Sequence, residues 1–504
     1  MEKERTMRRL VATAAFVAVF CTGMLAELHA QISCGPPPKA KPQRIKGGEG
    51  FPPLPLPVTP LRRTERKKPP APPTLMAKIN YGKMVEQKGR RARQYQWTMA
   101  MGDTRHLFDY AQRELGEVGS YKAEVLRLKE FSFSPERTPI VYFTGQEGFE
   151  LTPLERNHMR NYVLQGGYVF GNASSGKEAF AESFKKEFQA IFPDRPWYRL
   201  PPEHPLFHAH FRLAELRHKQ GASKYDVHFP AIYGINVGCR TAVIFTPYDV
   251  ACGWDGHTHD FGRRIDIEDA RRFGVNLLTY CLAYYRLGRT QSIVKVFTEQ
   301  GNVPGDVEIA QIRHAGDWDP HPTGLSNLLK AFALSTSGQP TYRRVGVEAN
   351  SEEIFNYPFL YLTGHLDFAL SAKARANLRR YLDGGGFLFI HNCCAHREFD
   401  RAVRRELKAT FPDDDLVDLP PQHPVFSTHV AIDPSQVPAR PAPGFELAKP
   451  MLLGLTRQGY TCVVYSPVSL SGGWENEPRP LVAAVDPEVS LELGVNVLVY
   501  AMTH

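Results

Sequence analysis

From about residue 75 onward, short unbroken apolar runs alternate with stretches in which apolar positions return every three or four residues. Ile140-Val141-Tyr142-Phe143 is too short for a helix and lacks polar alternation, as expected of a strand buried on both faces. Thr152-Pro153-Leu154-Glu155 reads as a capping box with proline at the first helical position. Gly166-Gly167 stop that helix by accepting a left-handed C-terminus. The pattern then predicts a strand over 168–170, a helix over 177–191 halted by Pro193, a strand over 241–245 and a last helix over 267–285. Strands alternating with helices imply right-handed crossovers and a mostly parallel sheet covered on both faces.

The same pattern returns. Residues 139–207 align with 358–426 at a constant offset of 219, with 24 identities in 69 positions and no gap. Tyr142-Phe143-Thr144-Gly145 matches Tyr361-Leu362-Thr363-Gly364, and Pro201-Pro202-Glu203-His204-Pro205 matches Pro420-Pro421-Gln422-His423-Pro424. Farther on the offset becomes 220, pairing Gly253-Trp254 with Gly473-Trp474 and Gly274-Val275-Asn276 with Gly494-Val495-Asn496. A repeat this long is a whole domain rather than a solenoid unit. The expected organisation is a signal peptide over 1–30, a basic proline-rich tether over 31–74, and α/β repeats over 75–290 and 291–504.

Charge refines this picture. The chain carries +8, but residues 35–74 hold nine Lys/Arg against two Asp/Glu, and 1–34 four against three. Subtracting +7 and +1 leaves the repeats neutral, which argues against a nucleic-acid surface. The thirteen prolines of 35–74 cannot join a backbone ladder, so that stretch is expected to be a disordered, extended spacer. Arg8-Arg9, the apolar run over 10–26 and the small residue Ala30 read as an export signal, placing the protein in the periplasm or outside the cell. The alternative is an uncleaved N-terminal anchor; membrane contact is expected only through this segment or the tether. Eight cysteines, one of them Cys21 in the leader, are too few and too scattered for a disulfide scaffold.

In parallel sheets, ligands bind beyond the carboxyl ends of the strands. There repeat 2 carries His365 and Asp367, where repeat 1 has Gln146 and Gly148. It also carries His391-Asn392-Cys393-Cys394, where repeat 1 has Asn172-Ala173-Ser174-Ser175. Cys393 or Cys394 is a candidate thiol nucleophile, with His365, His391 or His396 as its base. Asp317, Asp367, Trp474, Glu475, Trp254 and Asp255 are candidate ligand-binding residues at the same rim. Asp317 belongs to a polar stretch, Arg313-His314, Asp317, Asp319 and His321, that also reads as a helix-start loop. His257, His259 and Asp260 have ligand chemistry for a divalent metal, but neighbouring loop residues seldom converge on one ion, so no metal and no cofactor is expected. His204 and His423, matched between prolines, read as structural turns.

Tyr361-Leu362-Thr363-Gly364-His365, Leu378-Arg379-Arg380-Tyr381-Leu382 with Gly384-Gly385-Gly386-Phe387, Leu419-Pro420-Pro421-Gln422-His423-Pro424 and Gly494-Val495-Asn496 resemble the bacterial domain of unknown function family 4159. The resemblance covers both repeats. It implies two tandem flavodoxin-like three-layer sandwiches of the class I glutamine-amidotransferase-like fold, and no assigned reaction. The wider superfamily uses an elbow cysteine, a position only Cys393 or Cys394 could match, though the elbow glycines are absent. Gly384 through His391 is similar to the trehalose-utilisation-like branch, which implies sugar-related ligands. The leading expectation is an exported, non-catalytic binding or assembly module for an unidentified protein or small molecule. Its rivals are a cysteine-dependent hydrolase acting through repeat 2 and a metal-dependent carbohydrate-binding protein.

Overall fold

The structure is a computed structural model that describes residues 74–294 and 307–504, apart from 83, 87–92, 99, 117–121, 129–133, 258, 261, 322, 342–344, 441–450, 476–480 and 483. The segments expected to be a signal peptide and a tether lie, but for Thr74, outside the described residues. Among the described residues, no helix is long and apolar enough to cross a membrane.

Repeat 1 builds one sheet from β1 (Thr74–Asn80), β2 (Lys122–Arg127), β3 (Ile140–Gly145), β4 (Tyr168–Ala173), β5 (Tyr198–Arg199), β6 (Tyr233–Val237) and β7 (Arg240–Thr246). Repeat 2 builds another from β8 (Ile309–Arg313), β9 (Val345–Glu348), β10 (Phe359–Gly364), β11 (Phe387–Asn392), β12 (Val417–Asp418), β13 (Leu453–Arg457) and β14 (Tyr460–Ser466). The spatial orders are β2-β1-β3-β4-β7-β6-β5 and β9-β8-β10-β11-β14-β13-β12, one topology used twice. Register repeats too: Ile140 pairs with Tyr168 as Phe359 pairs with Phe387, the offset of 219 kept on both strands. The strands from β2 to β7 and from β9 to β14 run parallel; the last two pairings in each order are antiparallel, so only β6 and β13 run against the rest.

Every residue of β3, β4, β10 and β11 is buried, because helices cover both faces. In repeat 1, α1 (Asp103–Leu115) and α5 (Ile267–Val294) lie over Tyr142, Phe170 and Ile244. On the other face α2 (Pro153–Leu164) and α3 (Glu178–Ile191) lie over Val141, Phe143 and Val243. In repeat 2, α6 (Gly324–Ser335) and α10 (Pro487–Thr503) cover one face, while α7 (Ala372–Asp383) and α8 (Arg397–Thr410) cover the other. Short helices α4 (Ala251–Trp254) and α9 (Ser471–Trp474) follow β7 and β14.

The local signals act as chemistry requires. Thr152 Oγ1 accepts from Glu155 N, and Glu155 accepts from Thr152 N at 2.8 Å. After the helix, a Cβ on Gly167 or on its counterpart Gly386 would collide with the ring of Tyr162 or Tyr381. Buried Glu187 bridges α3 to Arg156 of α2, and Glu406 bridges α8 to Arg375 of α7, again at matched positions. The last helix of repeat 1 runs past the expected 285. Gly288, which reads as a stop, is where Arg240 crosses it: a Cβ there would meet Nε at 2.7 Å.

Candidate functional site

The two repeats meet head to tail. Cys239 sits in the two-residue turn between β6 and β7, whose Gly238 has φ 62°, at the edge of the repeat 1 sheet opposite its own carboxyl-end loops. A glycine with positive φ at this place gives the tight turn that suits a right-twisted hairpin. That hairpin tip plugs the carboxyl-end rim of the repeat 2 sheet. Cys239 Sγ lies 3.2 Å from Cys393 Sγ and donates to Pro320 O at 3.2 Å. Cys393 and Cys394 pack against the hydrophobic core of repeat 1.

Cys393 follows β11 and is the hub. His365 Nε2, from the loop after β10, lies 2.7 Å from its sulfur, and His321 Nε2, from the loop after β8, lies 2.9 Å away. Cys394 Sγ is at 3.4 Å. His321 Nε2 also lies 3.0 Å from Cys239 Sγ. The donor atoms of Cys239, His365, Cys393 and Cys394 all lie within 4.8 Å of one another. Cys393, His365, His321 and Cys239 are 0, 1, 5 and 7% exposed, and Cys394 is the half-buried member at the rim.

Each imidazole is held from behind by a carboxylate. His365 Nδ1 is 2.7 Å from Asp317 Oδ2, and His321 Nδ1 is 3.3 Å from Glu475 Oε2. Thr323 Oγ1 donates to Glu475 Oε1 at 2.8 Å, and Arg195 of repeat 1 reaches Asp317 Oδ1 at 3.3 Å. A carboxylate at Nδ1 fixes a proton there, so each Nε2 faces sulfur as the atom that takes up the thiol proton or ligates a metal. One thiol proton cannot serve two imidazole nitrogens and two neighbouring sulfurs. Burial opposes charge on Cys393, but the Cys239 hydrogen bond and the His321 charge outweigh it and hold the thiol below its ordinary range. Burial likewise opposes charge on His365, but Cys393 and Asp317 hold it well above the usual imidazole range. The neighbouring His396 is pushed down to about 4 by burial.

Two tandem matches decide the family: a domain of unknown function, DUF4159, matches residues 77–282 and 308–502. The chain belongs to the DUF4159 family. No curated protein matches it.

The other candidates are placed differently by the two DUF4159 repeats. His391 lies on the face of β11 shared with Phe387 and Phe389, beneath the helices rather than toward the thiols. Its Nε2 accepts from Leu470 N at 2.8 Å, and its Nδ1 faces Tyr361 and Thr363. Repeat 1 makes the same bond with an amide: Asn172 Oδ1 accepts from Val250 N at 2.9 Å. A His391→Asn variant is therefore expected to keep its melting temperature within about 2–4 °C, the shift a 1 kcal/mol change gives a chain of this kind. Differential scanning calorimetry checks this.

Trp254 and Trp474 are buried, and their indole N–H groups donate to Ala270 O and Ser490 O, both at 2.8 Å. They pack as core residues and offer no open stacking face. Asp255 holds His106 at 2.6 Å, while Asp367 lies out on the surface with Arg405. His257, His259 and Asp260 do not converge: His257 is exposed, Asp260 pairs with Lys219, and His259 turns inward to Asp249 at 3.5 Å. Asp249, Cys252 and His259 do form a buried group, but Asp249 already accepts from Ser175 N at 2.6 Å and Cys252 N at 3.1 Å, anchoring the loop. His204 and His423 each accept from the backbone N–H two residues on and meet Thr241 or Thr461, the same turn twice.

Cys394 has φ 57°, and its counterpart Ser175 has φ 54°, so the left-handed turn belongs to the scaffold and not to the thiol. Gln146 Nε2 donates to Ser175 Oγ at 3.1 Å, a neutral echo of His365 beside the cysteines. Cys239 and Arg195 are the residues of the centre that strand-end reasoning passed over; His321 was named there only within a polar stretch read as a helix-start loop. A signal for Cys239 existed: it is a cysteine in a turn where repeat 2 has Gly459.

Proposed function

We propose that this protein is a metal-binding assembly module in which one thiophilic divalent ion, Zn²⁺ foremost, is held between the repeats by Cys239, Cys393, Cys394 and His365, with His321 as a fifth donor. The observation that carries this reading is the pair of carboxylate–imidazole units aimed at one sulfur, Asp317–His365 and Glu475–His321. A carboxylate behind a ligating histidine is the usual support of a zinc ligand. Thiolate and imidazole donors suit Zn²⁺, whose four-ligand closed sites are structural. Zn–S bonds of about 2.3 Å set sulfurs roughly 3.8 Å apart in a tetrahedron, so the 3.2 and 3.4 Å separations here need only a small outward shift.

The setting supports an assembly role over a catalytic one. The hub thiol has no exposed surface, and the buried tryptophans give a sugar no platform. The strand order β9-β8-β10-β11-β14 favours the flavodoxin-like, amidotransferase-like reading of the fold, with the centre at the β8/β10 switch point. The leader and the proline-rich tether favour an exported location, and the neutral repeats disfavour nucleic acid. A second reading has one observation behind it: Cys393, His365 and Asp317 also line up as nucleophile, base and orienting acid.

The test uses the full chain. Purified protein is titrated with Co²⁺, then Zn²⁺. One equivalent should bind, with sulfur-to-cobalt charge-transfer bands and tetrahedral ligand-field absorption. Asp317→Asn should weaken Zn²⁺ binding by roughly 10–100-fold without loss of helical circular dichroism. Failure to retain either ion, or rapid alkylation of Cys393 in metal-loaded protein, would overturn the proposal, the latter in favour of the thiol enzyme.

A further inference from the structure

The sulfurs of the centre have a second property that metal binding does not require. Cys239 and Cys393 come from different repeats, 154 residues apart in sequence, yet their sulfurs lie 3.2 Å apart, nearer than the 3.4 Å between the adjacent Cys393 and Cys394. We propose that they form a redox modification site: a hydroperoxide joins them as a disulfide across the repeat junction and expels the metal. This rests on the reading of the centre as a metal site, and adds its regulation.

Closing the gap to a disulfide of about 2.05 Å takes a shift of roughly 1 Å. Cys239 is on a two-residue hairpin tip, the sort of element that moves without disturbing a sheet. Cys393 is the sulfur from which the reaction starts, since it is the hub: His365 Nε2 lies at 2.7 Å, His321 Nε2 at 2.9 Å and the resolving Cys239 Sγ at 3.2 Å. A hydroperoxide is small enough to reach it past Cys394 and Ala395, which are half-buried and exposed at the rim.

The chemistry closes. The Cys393 thiolate attacks the terminal peroxide oxygen, the O–O bond breaks, and the alcohol or water leaves after taking a proton. The Cys239 thiolate then attacks the sulfenic sulfur, and the hydroxyl leaves as water with a second proton. Two thiolates, one hydroperoxide and two protons give one disulfide, one alcohol and one water. The sulfurs lose two electrons and the O–O bond gains them. The metal keeps its charge and departs because two of its donors are gone. The new bond preserves the junction that the ion had held.

Cys394 competes for the same partner at 3.4 Å, but it is adjacent in sequence, and a bond to it would close a strained eight-membered ring. It would also leave the repeats unlinked.

Zinc-loaded full chain is treated with hydrogen peroxide. Released zinc is read with a chromogenic chelator, and disulfides are mapped by mass spectrometry of unreduced peptides. The expected result is zinc release in step with a Cys239–Cys393 cross-link, both reversed by dithiothreitol and fresh zinc. The cross-link should persist in Cys394→Ser. A Cys393–Cys394 bond, or sulfinic acid at Cys393 without a disulfide, overturns the redox inference and leaves the metal reading standing. A Cys239–Cys393 cross-link in protein that never takes up zinc does the reverse.

Discussion

A Cys393→Ala chain is expected to lose tight zinc binding, with affinity falling by roughly 10²–10³-fold or more. Structural zinc sites are worth about 10–16 kcal/mol over four ligands, so one thiolate accounts for roughly a quarter. Cys393 should exceed that share, because it is the one donor in contact with both imidazoles and both other sulfurs. The measurement is competition with a chelating dye of known affinity. Zinc should also raise the melting temperature of the wild type, since a ligand bound only by the folded state adds about 4 kcal/mol at a thousandfold excess over Kd. Cys393→Ala should show no such rise. Cys462→Ala is the control: that thiol is buried beside Leu455 in the β13–β14 pair, with its pKa pushed up to about 12 by burial. It should cost stability while leaving zinc uptake intact. Equal zinc affinity in wild type and Cys393→Ala would place the ion elsewhere or nowhere.

The route from sequence to this centre succeeded and failed for identifiable reasons. Strand edges and the duplication were legible because they rest on local patterns: apolar runs, a capping box, a glycine pair. Comparing the copies located the rim of repeat 2 and with it Cys393, Cys394, His365, Asp317 and Glu475. His391 was misread because a polar residue at a strand end can face either layer. Its alternation with Phe387 and Phe389 sends it under α9, and Asn172 performs the same task under α4 in repeat 1.

Cys239 and Arg195 were harder to reach, for another reason. Their role exists only once the repeats dock, and docking has no local signature. The copies nonetheless differ at the positions that meet. Repeat 1 has Cys239 and Arg195 where repeat 2 has Gly459 and Asp414. Repeat 2 has His365 and Cys393 where repeat 1 has Gln146 and Ser174. The underside of repeat 1 and the upper rim of repeat 2 have specialised towards each other.

Repeat 1 has its own buried charge, and removing half of it is expected to produce the largest stability loss outside the centre. Lys78 on β1 donates to Asp103 Oδ2 at 3.0 Å and to Ala100 O at 2.9 Å, and both charged groups are fully buried. Lys78→Met leaves the Asp103 carboxylate alone in the core and should cost about 3–5 kcal/mol at neutral pH. The pair itself is not a stabilising device. Burial, opposed by Lys78 and Thr104, pushes Asp103 up to about 6. A carboxyl raised in the folded state contributes stability fully present below its ordinary range near 4 and lost as pH rises through about 6. Deleting Lys78 raises it further, so the deficit of Lys78→Met should be largest above pH 7 and shrink at pH 5, where the acid is neutral. Lys78→Met combined with Asp103→Leu should recover most of the loss, because two apolar side chains carry no desolvation cost. Repeat 2 illustrates the alternative: Gln311, paired with Tyr361 as Lys78 is with Tyr142, donates to Trp318 O without any charge. Urea denaturation of the three variants at pH 5 and pH 7.5 separates the outcomes. A Lys78→Met deficit that is the same at both pH values would mean that the lost packing of the lysine stem, and not the stranded carboxylate, sets the cost.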